Sequence, residues 1–216
     1  TSKRLIIALD TDDLKLVKKL CTFFDPKLCL MKVGLQLYIA HGKRVLDYLS
    51  EQGFEIFLDL KLHDIPNTVA KAIKEIQKFN IKMTTIHSQG GAEMINAALD
   101  QSNDLKILAV SLLTSLDSRD VSRLYGNDFE KQFEMLLKVI TDTKTHGIVC
   151  SSHELDKISD DNLIKVVPGI RNNDYSDDQK RIMSSKAAYA SGADFIVVGR
   201  PIINSEKPSE EYKKYL

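Results

Sequence analysis

Residues 55–68, EIFLDLKLHDIPNT, place three charges at the end of an apolar run. On a β-strand Asp59 and Lys61, two apart, share one face. Asp64 follows just past the strand end, and Pro66 then opens a helical pattern. Charges packed at the end of a buried strand are costly unless they pair or act on something. An ammonium fixed among carboxylates can stabilise developing negative charge and then hand over a proton. The bland alternative is an ion pair that merely locks a loop, and the remaining strand ends weigh against it.

Those ends are polar too. RLIIALD stops at Asp10, LCLMKVG carries Lys32 just before Gly34, and KMTTIHS stops at His87-Ser88. The run from Lys106 ends near Ser111, Leu113 and Thr114, and later runs end in Pro168-Gly169-Ile170-Arg171 and Gly199-Arg200. Several such ends converging on one rim define a polar pocket with alternating Lys and Asp. Lys32, mid-strand between Met31 and Val33, is expected to point into a barrel mouth. Asp10 could instead cap the first helix, and Arg171 could be an ordinary loop arginine. His87 reads as a hydrogen-bonded structural histidine, His63 alternates away from the Asp59/Lys61 face, and Tyr38 and His41 read as packing. Gly169 and Gly199 allow backbone amides to approach an anion, and Arg200 can add a two-pronged charged contact. Together with Gln179 in Asp-Asp-Gln-Lys-Arg they form a candidate phosphate corner.

The elements that must position these groups alternate strictly. Strands are expected at 4–10, 28–34, 55–61, 82–88, 106–113, 147–152, 164–169 and 194–200. Helices are expected at 12–24, 35–52, 66–79, 90–101, 128–144, briefly near 153–160, then at 178–191 and 207–215. Alternating strand and helix implies a parallel sheet, and near-continuous apolar strands imply burial on both faces. Eight units predict an α/β fold, a (β/α)8 TIM barrel spanning 1–216 as one domain, with its chemistry at the strand C-termini. The longest non-periodic segments, 114–127 and 170–178, both follow strand C-termini. Asp12 and Asp13 suit a helix start, Pro66 a first turn, and Gly53 and Gly192 helix ends.

The 216 residues are 43% hydrophobic with 30 basic and 30 acidic side chains, which suits one compact core. Zero net charge argues against a nucleic-acid footprint or an anionic-membrane surface. No signal-peptide pattern and no bilayer-length apolar run is present. Cys21, Cys29 and Cys150 match no zinc spacing and read as buried thiols in a reducing cytoplasm. The five histidines show no paired ligand spacing, so no metal is assigned.

Over nearly its whole length the chain resembles orotidine 5'-monophosphate decarboxylases of the bacterial type. The likeness is carried by IALD (7–10), MKVG (31–34), DLKLHDIPNT (59–68), LLTS (112–115), PGIR (168–171), the DQ-R pattern (178–181) and VVGR (197–200). It implies a homodimeric barrel that converts orotidine 5'-monophosphate to uridine 5'-monophosphate and carbon dioxide without metal or organic cofactor. That is the last step of de novo pyrimidine synthesis. By resemblance, Asp10 and Lys32 contact the ribose, and Lys32 also joins the charged array. Asp59 lies beside the substrate carboxylate and Lys61 is the proton donor. Asp64, Ile65 and Thr68 reach across the dimer interface into the partner's site, and Asp64 is the fourth member of a catalytic Lys32–Asp59–Lys61–Asp64 array that holds Lys61 protonated and immobile. Thr114 recognises the pyrimidine edge, and Gln179 and Arg200 hold the phosphate, with Pro168 and Gly199 lining the pocket. Related barrels use DxKxxD with Mg²⁺ on sugar phosphates, as decarboxylases or aldol-type enzymes. A third possibility is a non-catalytic phosphate-binding barrel.

Overall fold

A computed structural model describes residues 3–172 and 183–216. It contains a closed barrel of eight parallel strands in sequential order. The strands are β1 (Leu5–Ala8), β2 (Cys29–Gly34), β3 (Ile56–Leu62), β4 (Ile81–His87), β5 (Lys106–Val110), β6 (Gly147–Val149), β7 (Ile164–Val167) and β8 (Phe195–Val198). Closure comes from β8 against β1, with Leu5 opposite Ile196 and Ile7 opposite Val198.

Alternation along each strand sorts side chains into two apolar layers. Ile6, Ala8, Leu30, Phe57, Met83, Leu108, Val166 and Val197 pack inside the barrel. Leu5, Ile7, Met31, Val33, Ile56 and Leu58 belong to the larger layer between barrel and helices. Burying each of the Val, Leu, Ile, Phe and Met side chains fully stabilises the fold by about 1.5–3 kcal/mol before entropy is counted. The inner plug closes the barrel floor, so polar residues further along the same inward faces have only the mouth to occupy.

The surrounding helices are α1 (Leu14–Cys21), α2 (Leu35–His41), α3 (Lys43–Glu51), α4 (Pro66–Ile76), α5 (Gly91–Leu99), α6 (Ser118–Tyr125), α7 (Phe129–Asp142), α8 (Ser185–Ala190), α9 (Arg200–Ile203) and α10 (Pro208–Glu211). Short 3-10 turns occupy Ser88–Gly90, Ser152–Lys157 and Tyr212–Tyr215. None is long and apolar enough to cross a membrane.

Several boundaries differ from the sequence expectation, each for a local reason. The helix expected over 35–52 is two, because Gly42 adopts φ +50° and breaks it. The segment 114–127 is not all loop. Asp117 and Asp120 form a reciprocal capping box that starts α6, and Gly126 ends it in the left-handed region. The fifth strand stops at Val110, not at 113, and the seventh stops at Val167. The eighth stops at Val198, and Arg200 opens a helix whose first turn holds Pro201. The helix expected over 178–191 is described only from Ser185, since 178–182 lie outside the described residues. Cys21, Cys29 and Cys150 are buried free thiols, and burial pushes Cys21 and Cys29 up to about 12.

Candidate active site

The charged groups meet at the C-terminal mouth of the barrel because β1, β2 and β3 reach it in register. Ala8 pairs with Lys32, and Gly34 with Asp59. Lys32 Nζ donates to Asp10 Oδ1 at 2.9 Å and stands 3.7 Å from Asp59 Oδ2. Asp10 therefore turns its carboxylate to Lys32, and Asp13 is the residue that caps α1, accepting from the amides of Lys15 and Leu16. Gly34 leaves room for the ammonium, since a Cβ there would lie 3.0 Å from Lys32 Nζ.

Strand β3 then does something unusual. The β3–β4 register shifts between Leu58 and Leu62, and Lys61 sits at φ +50°. A non-glycine residue in that region stores strain, of order 1 kcal/mol or more, and bulges of this kind re-aim side chains at sites. Here Lys61 Nζ is 2.9 Å from both Asp59 oxygens. The Lys61 amide donates to Thr85 Oγ1 at 2.9 Å, and the Thr85 hydroxyl donates to Asp59 Oδ1 at 2.9 Å. Asp59 side-chain exposure is 12% and that of Lys32 is 11%. Burial works against ionisation of Asp59, but Lys32, Lys61 and the Thr85 hydroxyl outweigh it and hold its carboxyl below the usual range. The mouth thus presents ammonium groups on both sides of one ionised, desolvated carboxylate.

One cavity runs over this array. Asp10, Lys32, Asp59 and Lys61 line one side. Thr114 lines it beyond β5, and Pro168, Gly199 and Arg200 line the far side. Arg171, to which the sequence attached no role, also lines it and is only 5% exposed. Asp64, Ile65 and Thr68 are exposed and do not line this cavity. Asp64 Oδ1 instead accepts from the Ile65 amide at 2.7 Å, at the entry to α4. Gln179 lies outside the described residues.

One neighbour, Thr85, escaped the sequence, where His87 reads only as a structural histidine. Thr85 is fully buried, although the alternation of Met83, Thr85 and His87 puts it on the inward face. His87, expected to be hydrogen-bonded, has a buried Nδ1 with no partner of good hydrogen-bond geometry among the described residues, while the Gln89 side chain interacts with its ring and favours the charged form. Its ring packs against His63 at 5.4 Å. Burial, then His63, push its pKa below the ordinary histidine value.

A family described as orotidine 5'-phosphate decarboxylase / HUMPS matches residues 3–215. The chain belongs to that family. An orotidine 5'-phosphate decarboxylase of Ehrlichia canis (strain Jake) is 41% identical over 210 residues, covering 94% of this chain and 92% of that one. One of Malacoplasma penetrans (strain HF-2) is 37% identical, covering 98% and 96%. The crystal structure of orotidine 5'-phosphate decarboxylase from Lactobacillus acidophilus superposes with a TM-score of 0.85 at 35% identity, covering 99% of each chain. Family membership and a shared barrel account for the strand-end motifs.

Proposed function

We propose that this chain decarboxylates orotidine 5'-monophosphate to uridine 5'-monophosphate, the last step of de novo pyrimidine synthesis, with no metal or organic cofactor. The observation that carries the proposal is Lys61 Nζ clamped 2.9 Å from both Asp59 oxygens at the cavity wall. Loss of carbon dioxide from C6 leaves an electron pair in the plane of the ring. The π-system cannot delocalise it, so it needs a fixed positive charge nearby. The Lys61 ammonium supplies that charge and then protonates C6. Preorganised charge in a water-poor site is usually the largest catalytic contribution.

Each remaining group takes one part in this scheme. Asp59 faces the substrate carboxylate and keeps Lys61 oriented. Lys32 and Asp10 take the ribose, with Lys32 also balancing Asp59. Thr114 recognises the pyrimidine edge. Arg200 and Gln179 bind the phosphate against Pro168 and Gly199. Binding energy from the phosphate, remote from C6, is convertible into rate.

Two copies associate in this scheme, and Asp64, Ile65 and Thr68 enter the partner's cavity. Ile65, a large apolar side chain 65% exposed, supports that assignment. Buried thiols suit a reducing cytoplasm as the place of action.

The family name spans a second chemistry, and the rival is a Mg²⁺-dependent sugar-phosphate barrel. Lys32 speaks against it. Its ammonium occupies the space between the Asp10 and Asp59 carboxylates, so a divalent ion bridging them would have to expel it. An intact charge array likewise disfavours a non-catalytic phosphate-binding barrel, since buried charges are costly to keep without use. The deciding experiment adds orotidine 5'-monophosphate with a chelator present and follows its ultraviolet absorbance. Steady loss is expected, and a full stop on chelation, or no loss at all, would defeat the proposal.

A further inference from the structure

Thr85 touches both halves of the charge array, although it does not line the cavity. We propose that Thr85 is a positioning residue whose single hydroxyl sets the geometry of Asp59 and Lys61 together; this rests on the decarboxylase assignment above. Its Oγ1 accepts from the Lys61 backbone amide at 2.9 Å and donates to Asp59 Oδ1 at 2.9 Å. One hydroxyl has one proton and two lone pairs, so both bonds are satisfied at once. The first bond matters because Lys61 is in the left-handed region, where the β3–β4 ladder is interrupted. A strained conformation persists only when its surroundings over-determine it. Thr85, itself 0% exposed, gives the displaced, part-buried amide a fixed partner. The second bond fixes one Asp59 oxygen, and Lys61 Nζ is then triangulated by the Asp59 carboxylate and by its own anchored backbone.

Valine has the shape of threonine without the hydroxyl. Thr85→Val takes the acceptor from the part-buried Lys61 amide and removes one of the contacts that orient the Asp59 carboxylate. A buried donor left without its acceptor is the costly case. The Lys61 strain then relaxes by moving the ammonium, and displacement of a reacting group by about 1 Å is worth about 100-fold in rate. Asp59 also loses one of the groups that favour its ionised form. The titratable groups facing it remain Lys61 on β3, Lys32 from β2 with Asp10 behind it just past the end of β1, and His87 from β4.

The test compares wild type, Thr85→Val and Thr85→Ser on orotidine 5'-monophosphate across pH, with uridine 5'-monophosphate affinity as a control for an intact site. Thr85→Val is expected to lower kcat about 10- to 100-fold. Product affinity should stay within about threefold, while the acid limb of kcat/KM moves to higher pH. Thr85→Ser, which keeps the hydroxyl, should stay close to wild type. A residue of merely structural importance would change thermal stability and leave the pH profile in place. A Thr85→Val enzyme with wild-type kcat and acid limb overturns the proposal, as does a Thr85→Ser enzyme as slow as Thr85→Val. If Thr85→Val does not fold, Thr85→Ala takes its place in the same comparison. Should wild type itself fail to turn over, the decarboxylase assignment falls. Carbon NMR titration of the Asp59 carboxyl then still decides the placement, and identical titration in wild type and variant refutes it.

Discussion

Lys32→Met tests whether the charge array is held by mutual attraction. Methionine keeps an unbranched stem of similar length, so packing changes little and the ammonium is lost. Asp59 is left largely out of water, its side chain 12% exposed, with Lys61 as its one remaining cationic contact within 4.0 Å among the described residues. At 3.7 Å and an effective dielectric near 20, the lost Lys32–Asp59 attraction is roughly 4 kcal/mol. Removing one member of a buried pair costs about 3–5 kcal/mol. The second contact, to Asp10, adds little because that carboxylate is 52% exposed. Since Lys61 partly compensates, about 3 kcal/mol is expected, or a fall in Tm of roughly 6–12 °C for a chain of this size. The loss depends on pH. Asp59 has a native pKa below its unfolded value, so it contributes stability above the ordinary carboxylate range, which is lost as pH falls through the native pKa. Lys32→Met shrinks that depression. Its deficit should be largest near pH 7 and should close below about pH 4. Thermal unfolding of both proteins over pH 3–8 provides the assay. A deficit independent of pH, or a variant as stable as wild type at pH 7, would refute the reasoning.

Further outcomes follow from single contacts. Gly34→Ala should push the Lys32 ammonium aside, because the new Cβ would lie 3.0 Å from it; turnover should drop about tenfold with little change in Tm. Arg200→Ala should weaken binding of the phosphorylated substrate far more than of the bare nucleoside, and equal losses in calorimetry would remove Arg200 from the phosphate site. Asp64→Ala mixed with Lys61→Ala should regain activity through hybrid dimers with one intact site; no recovery once heterodimers are seen by native mass spectrometry contradicts a shared site. His146 accepts the Ile107 amide on Nδ1 at 3.0 Å, and burial, then Lys106, hold its pKa below the usual value. It therefore contributes stability above about pH 6.5 that is lost as pH falls toward its native pKa, and His146→Gln should flatten that part of the stability curve.

The barrel was legible because its strands are short apolar runs buried on both faces, and periodicity separates them from the amphipathic helices. Strand ends were less legible, since an apolar run continues into a loop without a change of composition, as Leu112 and Leu113 do after β5. The α6 helix was hidden by its length and by a capping pair built of two aspartates, Asp117 and Asp120. Within the site, the two-residue spacing of Asp59 and Lys61 put both on one face, and the pairing of Lys32 with Asp10 follows from β1–β2 register. Thr85 could have been found by carrying the inward alternation of β4 up to the level of Asp59. The φ of Lys61 could not, because a bulge depends on the neighbouring strand's register, which no local pattern encodes.

The central claim is that the Lys61 ammonium meets the electron pair left at C6 and returns a proton to it. Turnover of orotidine 5'-monophosphate by Lys61→Ala, measured beside its affinity for uridine 5'-monophosphate, tests it most directly. Loss of a donor of this type alone costs about 100- to 1,000-fold, and loss of the proton source should cost more. The account predicts product binding retained and turnover reduced by more than about 1,000-fold. A folded Lys61→Ala protein that decarboxylates at near wild-type rate would contradict it.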